Sequence, residues 1–242
     1  MNISIIMASY NGENYIKEQL ESIIPYMEMD DELIISDDGS TDKTHDIIYE
    51  YAQKDRRIKV IDGPHKGVIK NFENALNYTT KEIIAFADQD DIWLPNKLSA
   101  IRDHFQNNND ELILHDMFLA SDEEIKNNIK GIRSFDIRKR KHGVFYNWLY
   151  SGYFGCCMAF TDKFKRNIIP FSEFTNMYDQ WIGLIAEHRH SAFFMNEALI
   201  IHRIHGTNMS QKQKFLDRIR TRLNSYKAYK DTIKRTSNKE GI

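Results

Sequence analysis

Cysteine is almost missing from these 242 residues, and the only two, Cys156 and Cys157, are neighbours. Adjacent cysteines make a poor structural disulfide, and without a second cluster they give no zinc-finger spacing, so the chain reads as a protein of a reducing, cytoplasmic compartment. No apolar run approaches the ~18 residues of a membrane span. The opening MNISIIMASYNG lacks the basic stretch and cleavage site of a secretion signal. Where a dinucleotide-dependent dehydrogenase would place Gly-x-Gly-x-x-Gly, the chain has Ser9-Tyr10-Asn11-Gly12, and no Gly-Lys-Ser/Thr occurs to make a phosphate-binding P-loop. Charge of one sign is not in excess: 33 Lys and Arg face 35 Asp and Glu, which leaves no global attraction for nucleic acid. Internal repeats and low-complexity segments are missing as well.

What is present is a globular composition, 41% apolar and 12% aromatic, enough to bury a sizeable core. The first 95 residues alternate. NISIIMA (2–8), ELIISDD (32–38), IKVID (58–62) and EIIAFA (82–87) read as strands. Helices stand between them, one over 13–24 with Ile16, Leu20, Ile23 and Ile24 on one face, one carrying Ile47, Ile48 and Tyr51, and one carrying Val68, Phe72, Ala75 and Leu76. Such alternation predicts an α/β fold with a central, mostly parallel sheet flanked by helices. Ligands of such sheets bind beyond the carboxyl ends of the strands, where Ser9-Tyr10-Asn11, Asp37-Asp38-Gly39-Ser40 and Asp88-Gln89-Asp90-Asp91 fall.

The last cluster sets the chemistry. Three aspartates within four positions repel one another unless a cation lies among them, and oxygen ligands of this kind suit Mg²⁺ or Mn²⁺, which in turn neutralise a bound diphosphate. Asp38, at the end of another strand on the same edge, can accept from a base imide N–H or a ribose hydroxyl. Lys66 and Lys70, flanking Gly67 at the start of a helix, are within reach of a phosphate, although such lysines are more often solvated. Trp93 and Trp181 read as packing platforms with aromatic faces able to stack on a sugar.

Taken in order, IIMASYNGENYIKEQLESI, IISDDGSTDKT and FADQDDIWLPNKL resemble the family 2 glycosyltransferases, inverting enzymes of the GT-A fold that use nucleotide-sugar donors. The resemblance is close over the first hundred residues and looser beyond. It implies that Ala8, Tyr10 and Asp38 line the nucleobase pocket, that Asp88 contacts the ribose or the metal shell, and that Asp90 is the direct ligand of Mn²⁺ or Mg²⁺; it assigns no role to Asp91. An inverting displacement needs a carboxylate facing the anomeric carbon opposite the leaving diphosphate. Asp179 in NMYDQWIG matches the family's acidic position at the start of a late helix, with Tyr178 in place of the usual Glu or His before it; Glu173 and Glu187 are the next candidates. His205 in HRIHG matches a late histidine near the metal or diphosphate, and His202 competes with it. The resemblance favours UDP-glucose or UDP-galactose as donor, with dTDP-rhamnose as the alternative because DQDDIWLP also looks like rhamnosyltransferases of bacterial surface polysaccharides. A glycan, lipid-linked or protein-linked, is the implied acceptor. A non-catalytic nucleotide-binding or scaffold module of the same fold is the rival reading, against which Asp38, Asp88, Asp90 and Asp179 stand together.

These expectations divide the chain into a nucleotide-sugar-binding half (1–95), an acceptor-binding and catalytic half of the same domain (96–210) and a basic tail (211–242). In the second half the sequence predicts a helix through Leu98, Ile101 and Phe105, a strand at 112–120, a mobile surface loop over 121–142, a strand at 152–160, a helix at 177–188, and a strand pair or one bent strand at 193–206. In the tail, Phe215, Ile219, Leu223, Tyr226, Tyr229 and Ile233 form an apolar stripe on a helix. The tail holds ten Lys and Arg against three Asp and Glu. Such a helix predicts a homo-oligomer formed through the stripe, or else peripheral contact with the inner face of a membrane, with a helix docked on its own domain as the remaining reading.

Overall fold

The structure is a computed structural model that describes residues 1–137, 139–205 and 215–240. Strand β1 (Ile3–Ser9) leads through α1 (Ile16–Ile23) to β2 (Glu32–Asp37), α2 (Thr44–Lys54), β3 (Ile58–Asp62), α3 (Val68–Asn77) and β4 (Ile83–Asp88). After β5 (Ile92–Trp93) and α4 (Lys97–Asn107) come β6 (Leu112–Ser121), α5 (Asp122–Lys126), β7 (Ile132–Arg133), α6 (Ser134–Ile137), α7 (Val144–Tyr150), β8 (Met158–Thr161), α8 (Asp162–Ile168), α9 (Tyr178–His188), β9 (Ala192–Ile204) and α10 (Phe215–Glu240). One sheet holds all the strands, in the order β3-β2-β1-β4-β8-β6-β9-β5, with β7 paired to β6.

The β3-β2-β1-β4 half is parallel throughout. Its strands are covered on both faces, so β2 is buried at every position and β1 and β4 nearly so, which is why they read as continuous runs of Ile, Leu, Met, Phe and Ala rather than as alternating patterns. Helix α1 turns Ile16, Leu20 and Ile23 to the sheet, and α3 turns Phe72, Ala75 and Leu76 to it, at the spacing of one helical face. Beyond β4 the sheet is mixed, because β8 runs antiparallel to both β4 and β6 while β9 runs parallel to β6. Strand β9 is a single long strand whose register with β6 shifts twice: Met195 opposes His115 and Ala198 opposes Asp116, so that Asn196 and Glu197 are extra, and a second shift precedes Ile201, which opposes Phe118.

Three expectations are corrected. The stretch 121–142 carries structure: Ser121 caps α5 with a reciprocal Ser–Glu124 capping box, β7 adds to the sheet edge, and Asp116 anchors the segment by accepting from Arg133 Nε (2.9 Å) and the Phe135 backbone N–H (3.0 Å). The strand expected at 152–160 starts only at Met158, since Gly155–Cys157 form a 3₁₀ turn. The short helices α7 and α8 were not expected at all. The tail helix lies on its own chain, against α9, α7 and α8, and of the predicted stripe Tyr229 and Ile233 pack against the core. Thr221, Ser225, Ala228 and Thr232 are the buried residues, whereas Ile219, Leu223 and Tyr226 stay exposed. The stripe member Phe215 lies outside the described side chains. Trp181 Nε1 donates to Thr232 Oγ1 (3.1 Å) and Trp148 Nε1 to the Arg222 carbonyl (2.8 Å), which fixes the helix in place. Among the described residues no helix is long and apolar enough to cross a membrane.

Candidate active site

The carboxyl ends of β1, β2 and β4 open onto one crevice. Ala8 pairs in register with Ser36 on one side and Asp88 on the other, so the strands deliver the three motifs side by side. The loops are tied by side chains to backbone. Tyr10 N–H donates to Gln89 Oε1 (3.0 Å) and Gln89 Nε2 returns a bond to the Tyr10 carbonyl (3.1 Å), while the Tyr10 ring stays exposed. Asp37 is a structural residue: it accepts from Ser9 Oγ (3.0 Å), Ser40 Oγ (2.6 Å) and Ser40 N–H (3.2 Å). Asp38 differs. Its Oδ2 accepts from Gly67 N–H (2.8 Å), and Gly67 sits at φ 82°, a conformation that favours glycine. Its Oδ1 is buried with no partner, an acceptor waiting for a donor at the crevice. Lys66 is exposed on that loop, and Lys70 is engaged with Glu73 (2.6 Å).

The aspartate loop after β4 has two layers. Asp88 ends the strand with its carbonyl accepting from Gln19 Nε2 (2.7 Å), and its carboxyl is held well above the usual carboxylate range, first by burial and then by Asp91 and Asp90. Asp90 Oδ2 meets His205 Nε2 at 2.8 Å, and the His205 ring stacks on Tyr15 at 4.7 Å between centroids. Asp91 is fully buried beneath. Its Oδ1 meets His202 Nδ1 at 2.8 Å, so the two histidines are divided between the carboxylates, His205 beside Asp90 and His202 beside Asp91. Burial works against the His202 cation, yet Asp91 outweighs it and pushes the imidazole up to about 9. Three mutually repelling carboxylates flanked by a ring nitrogen fit a hard divalent cation, which would relieve the repulsion that raises Asp88. Among the described residues the one group whose ligand atoms all lie within 4.8 Å of one another is Asp91, Cys156 and His202; Asp88, Asp90 and His205 do not close to that distance.

Two cations to which the sequence motifs assigned no role support this loop. Lys97 is fully buried, with Nζ 3.6 Å from the centroid of the Trp93 ring and 2.9 Å from the Cys156 carbonyl. Burial lowers its ammonium to about 8, while the cysteines, Asp91 and Asp88 hold it up. Arg203 donates to the Asp90 carbonyl (3.0 Å), to Asp122 (2.6 Å) and to Glu18, clamping the metal loop to α1 and α5. Both are bound to partners 59 to 185 residues away or buried inside a motif, so no local pattern announces them.

Asp179 stands in the first turn of α9, close enough to Asp88 to help raise its carboxyl. Its Oδ1 accepts from Gln180 N–H (2.7 Å). Burial pushes it up to about 6, against the Gln180 and Asp179 N–H groups and Arg222, which favour the anion. Tyr178, the unusual neighbour, is an anchor: its ring packs on Phe72 and Phe86, and a Cβ at Gly155 would lie 2.0 Å from its hydroxyl. Gln180 braces the turn, with Nε2 donating to the Asn147 (3.0 Å) and Trp148 (2.9 Å) carbonyls of α7 and Oε1 accepting from Ser225 Oγ (2.9 Å) of α10. Glu187 accepts from Tyr153 Oη (2.8 Å) and Gly143 N–H (2.7 Å) at the far end of α9, and Glu173 is exposed. Trp181 is fully buried on Thr232 and Phe171, a core platform.

The profile of Glycosyl transferase family 2 matches residues 4–168. The chain is 31% identical over 195 residues to the UDP-Glc:alpha-D-GlcNAc-diphosphoundecaprenol beta-1,3-glucosyltransferase WfgD of Escherichia coli, covering 78% of this chain and 72% of that one. It is 41% identical over 98 residues to the dTDP-rhamnosyl transferase RfbG of Shigella flexneri, covering 38% and 34%, and 34% identical over 116 residues to an uncharacterized glycosyltransferase of Nostoc, of which it spans only 36%. Among solved structures, S. aureus TarS residues 1–349 in complex with UDP-GlcNAc superposes with a TM-score of 0.69 at 20% identity, over 93% of this chain and 66% of that one. The mannosyltransferase PcManGT from Pyrobaculum calidifontis, in complex with GDP-Man and Mn²⁺, gives 0.62 at 14%, over 85% and 58%. At these identities the structures establish the shared fold.

Proposed function

Because the chain belongs to glycosyl transferase family 2, we propose that it transfers a hexose from a nucleotide sugar, UDP-glucose or UDP-galactose, to a hydroxyl of a glycan acceptor with inversion. The observation that carries this reading is the delivery of Asp38 and Asp88 to one edge by adjacent parallel strands, and the proposal sets Asp179, whose charge bears on Asp88, beside them. The nucleotide half is residues 1–95 and the catalytic half 96–210, on the cytoplasmic side. The buried, partnerless Oδ1 of Asp38 supports a pyrimidine, whose imide N–H it can accept. Ala8 and Tyr10 bound the base, and Lys66 is within the loop that can swing to the phosphates. Bound at Asp88, Asp90 and His205, Mn²⁺ or Mg²⁺ supplies charge for the departing diphosphate.

Asp179 takes the proton of the acceptor hydroxyl as that oxygen forms its bond to the anomeric carbon, and the bond from that carbon to the diphosphate oxygen breaks with its electron pair on the leaving nucleotide. A carboxyl raised to about 6 is a stronger base than an ordinary aspartate and is still ionised at neutral pH. The match to WfgD, whose name specifies a GlcNAc-diphosphoundecaprenol substrate, supports a lipid-linked acceptor. The match to RfbG supports dTDP-rhamnose as a second donor, which Asp38 cannot discriminate because thymine carries the same imide N–H. A panel of nucleotide sugars tested by calorimetry with Mn²⁺ and with EDTA decides: UDP-hexose binding that needs the cation is expected, and no binding of any nucleotide sugar would overturn the reading.

A further inference from the structure

Helices α7 and α10 leave an apolar face uncovered. Phe145 is 71% exposed, and Leu149, Ile219, Leu223 and Tyr226 all exceed 40%. They form one patch, because Trp148 lies between the helices, 5.8 Å from the Phe145 ring and 5.5 Å from the Tyr226 ring, with its Nε1 bonded to the Arg222 carbonyl. Contiguous exposed apolar groups of this size mark an interaction site. The two segments are basic: residues 136–150 and 217–231 together hold nine Lys and Arg against three acids, Asp136, Asp217 and Asp231.

Charge selects the occupant. A second copy of the chain would meet this face with the same face, as two-fold symmetry requires, and set cations against cations. The chain's own core is already served by the opposite side of α10, through Thr221, Ser225, Ala228 and Thr232. An anionic bilayer offers phosphate groups to Lys139, Lys141, Arg220 and Lys227, and an interfacial zone in which aromatic and leucine side chains sit a few ångströms below them. Position adds to the case. Gln180, next to Asp179, is bonded to the carbonyls of Asn147 and Trp148 in α7 and to Ser225 in α10, so both helices of the patch abut the turn that holds Asp179.

We propose that the α7–α10 face seats the protein on an anionic lipid surface and so holds membrane-anchored acceptors at Asp179. The seat stands on exposure and charge, and the delivery of acceptors rests on the reading of Asp179 as the base. Flotation of the full chain with phosphatidylcholine vesicles, with and without about 30% phosphatidylglycerol, tests it. Binding to the anionic vesicles alone is expected. The substitutions Phe145→Ser with Leu223→Ser, and separately Lys139→Glu with Lys141→Glu and Lys227→Glu, should each lower the bound fraction by more than about tenfold while the Mn²⁺–UDP thermal shift stays unchanged. Absence of flotation on anionic vesicles at low ionic strength overturns the proposal, as does equal flotation of the charge-reversed variant. So does light scattering that finds a dimer abolished by Phe145→Ser with Leu223→Ser. Asp179→Asn should float like the parent, so a failure of the catalytic reading leaves the lipid result standing and is told apart from it.

Discussion

The molecule holds its two sets of carboxylates by opposite means. Asp38, Asp88 and Asp90 sit at or just past the ends of parallel strands buried on both faces, and the loops that follow are pinned by bonds such as Tyr10–Gln89 and Asp38–Gly67 within the first 95 residues. Asp179 sits on a helix turn whose position depends on Gln180 reaching α7 and α10, pieces of chain 33 and 45 residues away. The crevice at the strand ends is therefore built by the sheet itself. The Asp179 carboxylate is placed by the docking of three helices, so on the proposed reading a disturbance of the tail should reach turnover before it reaches donor affinity.

Asp90→Ala should be the most damaging change to the sheet-built side: it should cost ~10³- to 10⁵-fold in kcat/KM, the value of metal stabilisation of a leaving group. Calorimetry should show donor affinity no longer responding to Mn²⁺, and a variant that still responds would move the ligand role to another carboxylate. On the helix-built side, Asp179→Asn should lower kcat by ~10²- to 10⁴-fold with the donor Kd intact. The same residue sets a pH limb. As the base works ionised, activity should fall as pH drops through about 6 and hold above it, and the limb should be absent from the residual activity of the Asn variant. Gln180→Ala probes the brace. A shift of the turn by a fraction of an ångström should cost about tenfold in kcat and little in donor Kd; a loss that falls on Kd instead would break the contrast between the halves. Ser225→Ala removes one bond of the brace, ~1 kcal/mol, and should show as a few-fold change in kcat and a small drop in melting temperature.

The parallel half was legible in the sequence because a strand buried on both faces is a run of apolar residues and the helices between carry full-length faces, so β1 to β4 fell close to their predicted positions. The partners of the aspartate loop were not. Asp91 and His202 are 111 residues apart, and nothing near Asp91 signals that it lies under the metal loop rather than in it. Helix α7, at seven residues, is too short for periodicity to register. In the tail the eye follows large apolar side chains, whereas close packing of α10 on Trp181 selects Thr221, Ser225, Ala228 and Thr232, whose small size lets the helices approach. Ile219, Leu223 and Tyr226 were left outside, while Tyr229 and Ile233 at the far end of the stripe pack against the core.

The register of β9 against β6 slips twice and is uninterrupted only at the end of the strand. One slip leaves Asn196 and Glu197 extra, a second falls between Ala198 and Ile201, and from Ile201 to Ile204 the pairing runs without a break. A residue lost at 196–197 can be absorbed at the slip, with His202 still on Asp91 and Arg203 still on the Asp90 carbonyl. The loss of Ile201 falls where β9 is paired on both sides, to Phe118 of β6 and Ile92 of β5, and turns His202 and Arg203 to the opposite faces. Deleting Asn196 and deleting Ile201 should therefore part company in Mn²⁺-dependent donor binding, kept in the first and lost in the second.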